Sequence, residues 1–387
     1  MKILYYTWGE WMKEDVVNTL QTLGETVTVF DKKIDNYDKD PEFQESLKEE
    51  LKKGYDAIFT MDYIPLLSEM ARDEGGLYVS WISDCPNLTL YSDTVQNECN
   101  RIFVFDELLY KELKAKGVRV RHLPLGVNVS RLDTLLGPVS KEANYQHEIS
   151  FVGSFYQNGY RQLEKVETMP QELKGYIDGV VSAQNLIYGY DMVSELFDEA
   201  HVKQLESLAP VNLGENYNIS SEKVYHDWIR KEVTVMERER LIEDLGLLFH
   251  VDVATEKMPT ALESLSNIKN LGYVDYRNEM PKIFRESKIN LNFTLRTIQS
   301  GLPLRLTDVL GAGGFLITNY QPELPYYFEN GNSIVWFESR EHLLDLCAFY
   351  SRQEKEREKI RNNGYNIVKK AFSYERLLKI LLDSLTE

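Results

Sequence analysis

Arg305 and Asp308 stand at the head of an apolar run in Gly301–Thr318, GLPLRLTDVLGAGGFLIT. The run reads as a loop, a short helix with Leu306, Val309 and Leu310 on its apolar face, a glycine turn and a buried strand, Phe315 to Ile317. Gly311, Gly313 and Gly314 stop the helix, because glycine enters the left-handed conformation of a helix C-terminus without a Cβ clash. The unit brings one cation, one carboxylate and free backbone N–H groups to a helix N-terminus. That is the chemistry that holds a phosphorylated ligand. The plainer reading is an ion pair between Arg305 and Asp308, with the helix dipole favouring the carboxylate.

Other residues of this kind stand just past apolar strand-like runs. Gly153-Ser154 follows EISFV, where glycine permits close backbone approach and N–H groups could cradle a diphosphate, or where the chain simply turns. Thr255, Tyr273 and Thr294 follow strands of the same half. In the first half Asp84 ends LYVSWI and precedes Cys85-Pro86, so it could act as a general base for a hydroxyl or cap its own turn. Asp106 has a similar place, and Trp8-Gly9 follows the first strand. Arg296 and Arg161 are further candidate cations. The six histidines are dispersed without HExxH, and there is no GxSxG elbow or P-loop, so no metal site, hydrolase or NTPase is expected.

The elements that must position these residues alternate. Strands are expected at 2–8, 27–30, 56–61, 77–82, 101–105 and 119–124, with helices between them. The alternation restarts at 148–152. Between about 160 and 245 the spacing is helical throughout, and strands resume at 247–253, 268–273, 289–293, 315–318 and 334–337. Alternation at this spacing predicts parallel sheets covered by helices, with ligands beyond the carboxyl ends of the strands. The expected division is 1–145, 146–372 with a helical insertion at about 160–245, and a terminal helix over 373–387.

The chain has 387 residues, enough for two domains, and 43% are hydrophobic. Its net charge of −17 excludes a general nucleic-acid binder, so an anionic ligand needs local donors. Aromatic residues make up 12%, and some of them could stack on sugar faces. Three scattered cysteines, no signal-peptide pattern and no apolar run of transmembrane length predict a soluble, cytoplasmic protein.

The segments HEISFVGS (147–154), GYVDYRNEMPKIFRESKINLNFT (272–294), RLTDVLGAGGFLITNYQPELPYYF (305–328) and NGYNIVKKAFSYERL (363–377) resemble the glycosyltransferase-like proteins of the CgeB spore-maturation type. YVSWISDCPNLTLYS (78–92), RIFVFD (101–106) and HLPLGVN (122–128) resemble the domain that accompanies them. The resemblance implies an α/β fold of two Rossmann-like domains facing a cleft, the GT-B architecture, with a helical insertion in the second domain. It implies a metal-independent glycosyltransferase without a resident cofactor, moving sugar from a nucleotide donor, expected to be UDP-linked, to an acceptor that is not identified. The donor residues it implies are Gly153, Ser154, Thr255, Tyr273, Thr294, Arg305, Asp308, Gly313 and Gly314. Arg305 would neutralise the departing diphosphate and Asp84 would serve the acceptor. Asp308 matches the second glutamate of a Glu-x7-Glu motif that binds the nucleotide ribose, but the first position is Ser300, so the full motif is absent. A nucleotide-sugar epimerase and a non-catalytic sugar- or nucleotide-binding spore or cell-surface protein remain the alternatives.

Overall fold

The computed structural model describes residues 1–139, 144–156, 162–166, 168–212 and 216–385. The chain divides into two compact units. Unit 1 comprises Met1–Asn128, Leu213–Ile219 and Ala371–Glu387, and unit 2 comprises Val129–Asn212 and Ser220–Lys370.

Unit 1 carries β1 (Lys2–Tyr6), β2 (Thr26–Phe30), β3 (Ala57–Met61), β4 (Leu77–Trp81), β5 (Asn100–Val104) and β6 (Val120–His122). They form one parallel sheet in the order β2-β1-β3-β4-β5-β6. β3 is buried at every residue, as expected of a strand covered on both faces. The C-terminal helix Tyr374–Asp383 packs in this unit beside the helix Lys13–Thr22 and buries Leu377, Leu378 and Leu381. It is anchored where Val127 N donates to Phe372 O at 3.0 Å and Tyr374 N donates to Val127 O at 3.2 Å.

Unit 2 carries β7 (His147–Val152), β8 (Val251–Ala254), β9 (Ile268–Asn270), β10 (Ser287–Asn292), β11 (Leu316–Asn319) and β12 (Val335–Phe337). This sheet is also parallel, in the order β12-β11-β10-β7-β8-β9. Its order reverses between β7 and β10, as that of unit 1 reverses between β1 and β3. Such reversals leave a crevice at the carboxyl ends of the strands.

The helices Gln171–Gln184, Val193–Leu196, Glu199–Leu208 and Ser221–Leu248 form the insertion. It has a core of its own, in which Leu173, Ile177, Val180, Phe197, Tyr225 and Ile229 pack together. The expected strand over 247–253 begins only at Val251. Leu241, Ile242 and Leu245 keep the helical period and bury against the sheet, so the helix runs on to Leu248 and leaves Leu247 and Leu248 exposed. The units part at Asn128/Val129, earlier in the chain than the expected break near 145. The helix Val129–Leu136 lies with unit 2, where Asp133 accepts from Tyr365 Oη at 2.7 Å and Lys369 Nζ at 2.8 Å.

At Gly126 an added Cβ would stand 2.7 Å from Phe372 O and 2.8 Å from Leu377 Cδ1. Gly126→Ala therefore forces the C-terminal helix away. We expect a loss of about 1–3 kcal/mol, read as a lower urea midpoint together with faster hydrogen exchange over Tyr374–Asp383.

Candidate functional site

In unit 2 the reversal point is spanned by Arg238. This residue lies in the helix Ser221–Leu248 and is 6% exposed. Its guanidinium donates through Nη1 to Ser154 O and through Nη2 to Phe293 O, each at 2.5 Å. Those carbonyls lie just past β7 and β10, the two strands that flank the reversal. The group also lies over the rings of Phe151, at 5.5 Å, and Tyr156, at 4.8 Å. Its Nε has no hydrogen-bond partner, and no carboxylate among the described residues pairs with it. A buried cation without a counter-charge is costly, so an anion placed beside it would be stabilised.

Two other buried arginines, Arg230 and Arg357, are compensated differently. Arg230 is held by Asp191 at 2.6 Å and Asp227 at 2.7 Å. Arg357 reaches the carbonyls of Tyr350 and Ser351 at the end of the helix Arg340–Tyr350, where the helix dipole is negative. Arg296, a candidate cation in the sequence, is bound to Glu237 at 2.7 Å and stacked 4.2 Å over Tyr188, which makes it an internal tie between helix and loop. Arg161 lies outside the described residues.

Gly153 and Ser154 are brought against Arg238. Gly153 N donates to Ala254 O at 3.1 Å, and a Cβ on Gly153 would come 3.2 Å from the ring of Phe151 and 3.6 Å from Arg238 Nη1. Ser154 Oγ accepts from Tyr156 N at 2.9 Å. Thr255 follows β8 and is buried, its Oγ1 donating to Lys257 O at 3.3 Å. Thr294 follows β10, and its N–H donates to Asn319 Oδ1 at 2.7 Å. A hollow beside it is lined by Tyr190, Asp191, Arg296, Gln299, Asn319 and Gln321.

Asp308 and Arg305 form a second cluster in the helix Leu304–Gly311. Asp308 is 6% exposed and accepts from Tyr276 Oη at 3.0 Å and Arg305 Nη1 at 3.3 Å. Arg305 stacks 5.3 Å over Phe284 and donates to Met280 Sδ at 2.6 Å. The ion pair that was the plainer reading is thus present, and partly buried. At the missing motif position, Ser300 Oγ donates to the buried Glu323 at 2.9 Å.

Three of the expected donor residues lie apart from the reversal point. Gly313 (φ 73°) and Gly314 precede β11, at the amino end of the sheet, opposite the end where ligands sit. Packing accounts for both: a Cβ at Gly313 would stand 2.8 Å from Val139, and one at Gly314 would stand 2.7 Å from Phe284 O. Tyr273 follows the edge strand β9 and is 68% exposed.

In unit 1 the reversal point holds Trp8 and Gly9 past β1, and Asp62 past β3. Asp62 is a non-glycine residue at φ 61°, a strained conformation that nothing in the sequence announces. Its carboxylate accepts from Ser83 N at 2.8 Å, Ser83 Oγ at 3.0 Å and Asp84 N at 3.0 Å. Asp84 is exposed, and Asp62 sets its position. Asp106 is the N-cap of the helix Glu107–Ala115, accepting from Leu109 N at 3.0 Å, and this cap explains its burial.

Burial pushes the Asp62 carboxyl above its ordinary value of 3.8, against the pull of the Ser83 and Asp84 N–H groups. A carboxyl raised on folding stabilises the fold most below its unfolded pKa, and that contribution is lost as the pH rises through the folded one. Asp62→Asn keeps an acceptor and removes this titration. Relative to the parent, the variant should gain stability as the pH rises above about 4, measured by urea midpoints.

With this geometry in hand, comparison with known proteins gives three findings. Residues 235–383, which include Arg238, Arg305 and Asp308, match the family model described as "Glycosyl transferase-like". A search of curated proteins finds no significant match. Among solved structures the chain is similar to a sucrose-phosphate synthase from Thermosynechococcus elongatus, at 12% identity and a TM-score of 0.55, covering 100% of this chain and 99% of that one. Anabaena HepE in complex with UDP and glucose matches at 9% identity and a TM-score of 0.55, with coverage of 100% and 99%. A glycosyltransferase from Rickettsia africae matches at 12% and 0.51, with coverage of 99% and 97%. At such identities the likeness establishes the fold, two doubly wound parallel sheets of the GT-B type. The fold together with the glycosyl transferase-like domain over 235–383 makes the chain a glycosyltransferase.

Proposed function

We propose that the chain transfers sugar from a UDP-linked donor, without a metal, to an acceptor hydroxyl. The observation that carries this reading is Arg238, a buried guanidinium with no carboxylate partner among the described residues, at the reversal point of unit 2. A diphosphate would supply the missing counter-charge. The acceptor oxygen bonds to the anomeric carbon, the bond from that carbon to the β-phosphate oxygen breaks, and the nucleoside diphosphate leaves with the electron pair. The hydroxyl proton passes to a base, for which Asp84 is the proposed group on the acceptor side. Arg238 meets the charge that develops on the leaving group, where a fixed donor in a dry site acts most strongly. Asp308, steadied by Tyr276 and Arg305, is proposed to receive the ribose hydroxyls. UDP is favoured because similar structures of HepE hold UDP or UDP-glucose.

We further infer membership of the CgeB type, on the motifs quoted above, and a cytoplasmic setting. Three free cysteines suit that setting, and among the described residues no helix is long and apolar enough to cross a membrane.

A thermal-shift panel of UDP, GDP and ADP tests the donor. UDP should raise the melting temperature of the parent, and a panel without any shift would sink the reading. Arg238→Met retains the apolar stem and should abolish the shift. It should also lower the rate of UDP release from UDP-glucose or UDP-N-acetylglucosamine by about 100-fold or more. Asp308→Ala should weaken donor binding, and Arg305→Ala should do so less, chiefly in KM, because Arg305 acts through Asp308. Equal activity of Arg238→Met and the parent would remove the assignment.

A further inference from the structure

At the reversal point of unit 1 an indole is held out into solvent. Trp8 is 47% exposed and Trp11 63%. Leaving an indole in water forfeits the burial that usually drives tryptophan inward. Yet Trp8 is fastened where it stands. Its Nε1 donates to Met61 O at 2.9 Å, and its backbone N donates to Glu10 Oε2 at 3.1 Å. Glu10 is itself buried and accepts from Tyr5 Oη at 2.6 Å and Thr7 Oγ1 at 2.9 Å. Gly9, at φ 101°, donates its N–H to Thr7 Oγ1 at 3.1 Å. The residue after Met61 is Asp62, which accepts from the backbone N of the exposed Asp84 at 3.0 Å, and the Asp84 carboxylate accepts from Cys85 N at 3.0 Å. A rigid aromatic face and a carboxylate are therefore carried by one hydrogen-bonded cluster.

We propose that this cluster binds a sugar ring of the acceptor, with Trp8 as the stacking platform, so that the acceptor is a carbohydrate. The inference rests on the glycosyltransferase reading. A pyranose presents a C–H face to the indole and hydroxyl donors to carboxylates, which accept only. A lipid chain or an apolar helix would press hydrocarbon against Asp84, at the cost of desolvating a charge. An acidic acceptor would meet that carboxylate on a chain of net charge −17.

The test uses the full chain and follows tryptophan fluorescence during titration with methyl β-glucoside, methyl α-mannoside, maltose and N,N′-diacetylchitobiose. UDP thermal shift is measured in parallel. At least one sugar should give a saturable change. Trp8→Ala should weaken that sugar by about tenfold or more, and Trp8→Phe should weaken it less. The UDP shift should persist in both variants. A UDP shift with no saturable response to any of the four sugars overturns the acceptor inference and leaves the donor reading standing. A sugar response unchanged in Trp8→Ala also overturns it, as does loss of the UDP shift in that variant, which would give the ring to the nucleotide or to the fold. Sugar binding that needs Trp8 in a parent without a UDP shift would uphold the sugar site and sink the donor reading.

Discussion

Each sheet reverses its strand order once, and that constraint organises the molecule. Within a run of neighbouring parallel strands every carboxyl end feeds a connection that leaves over the same face. At the reversal, the connections leave over opposite faces, and the ends between them stay uncovered. In unit 2 those ends expose the carbonyls of Ser154 and Phe293 side by side. A single guanidinium reaches both, and among the described residues its charge has no carboxylate and its Nε no partner. In unit 1 the corresponding ends are closed by Trp8 and by the strained Asp62. The chemistry of each unit is thus concentrated where the topology leaves backbone groups to be met by side chains.

The guanidinium arrives there on a helix that belongs to two cores. Tyr225, Ile229 and Val233 of the helix Ser221–Leu248 pack within the insertion, while Leu241, Ile242 and Leu245 pack on the sheet. Arg238 sits between the two sets. Glu237, one residue earlier, ties the same turn to Arg296 in the loop after β10. The insertion therefore contributes to the carboxyl end of the sheet through its rigid part, since a long helix clamped at both ends has little freedom to turn.

Much of this frame was legible in the sequence. AIFTM and LITN are uninterrupted apolar or β-favouring runs, and they became β3 and β11 as their composition required. The glycine stop at Gly313 was equally plain, because its left-handed φ has a sequence signature. Which side of the sheet that glycine occupies was not, since this follows from strand direction and not from residue type. Arg238 was hidden for a related reason: its two acceptors lie 84 and 55 residues away, and a helix so rich in charge gives no sign of which arginine turns inward. Asp62 was missed because aspartate at the end of a strand reads as an ordinary turn residue. The early boundary at Asn128 depends on Asp133 meeting side chains more than 200 residues further along the chain.

The doubly clamped helix limits how such a protein can diversify. Surface insertions in α/β proteins are usually modular, exchanged between relatives without disturbing the sheet they hang from. Here, grafting a different insertion would also exchange the turn that carries the buried cation. A chimera would have to retain the arginine at the same height above the sheet to keep the carbonyls of Ser154 and Phe293 bridged. Change in this lineage is therefore expected to accumulate in the helices Gln171–Gln184 and Glu199–Leu208, around a fixed spine.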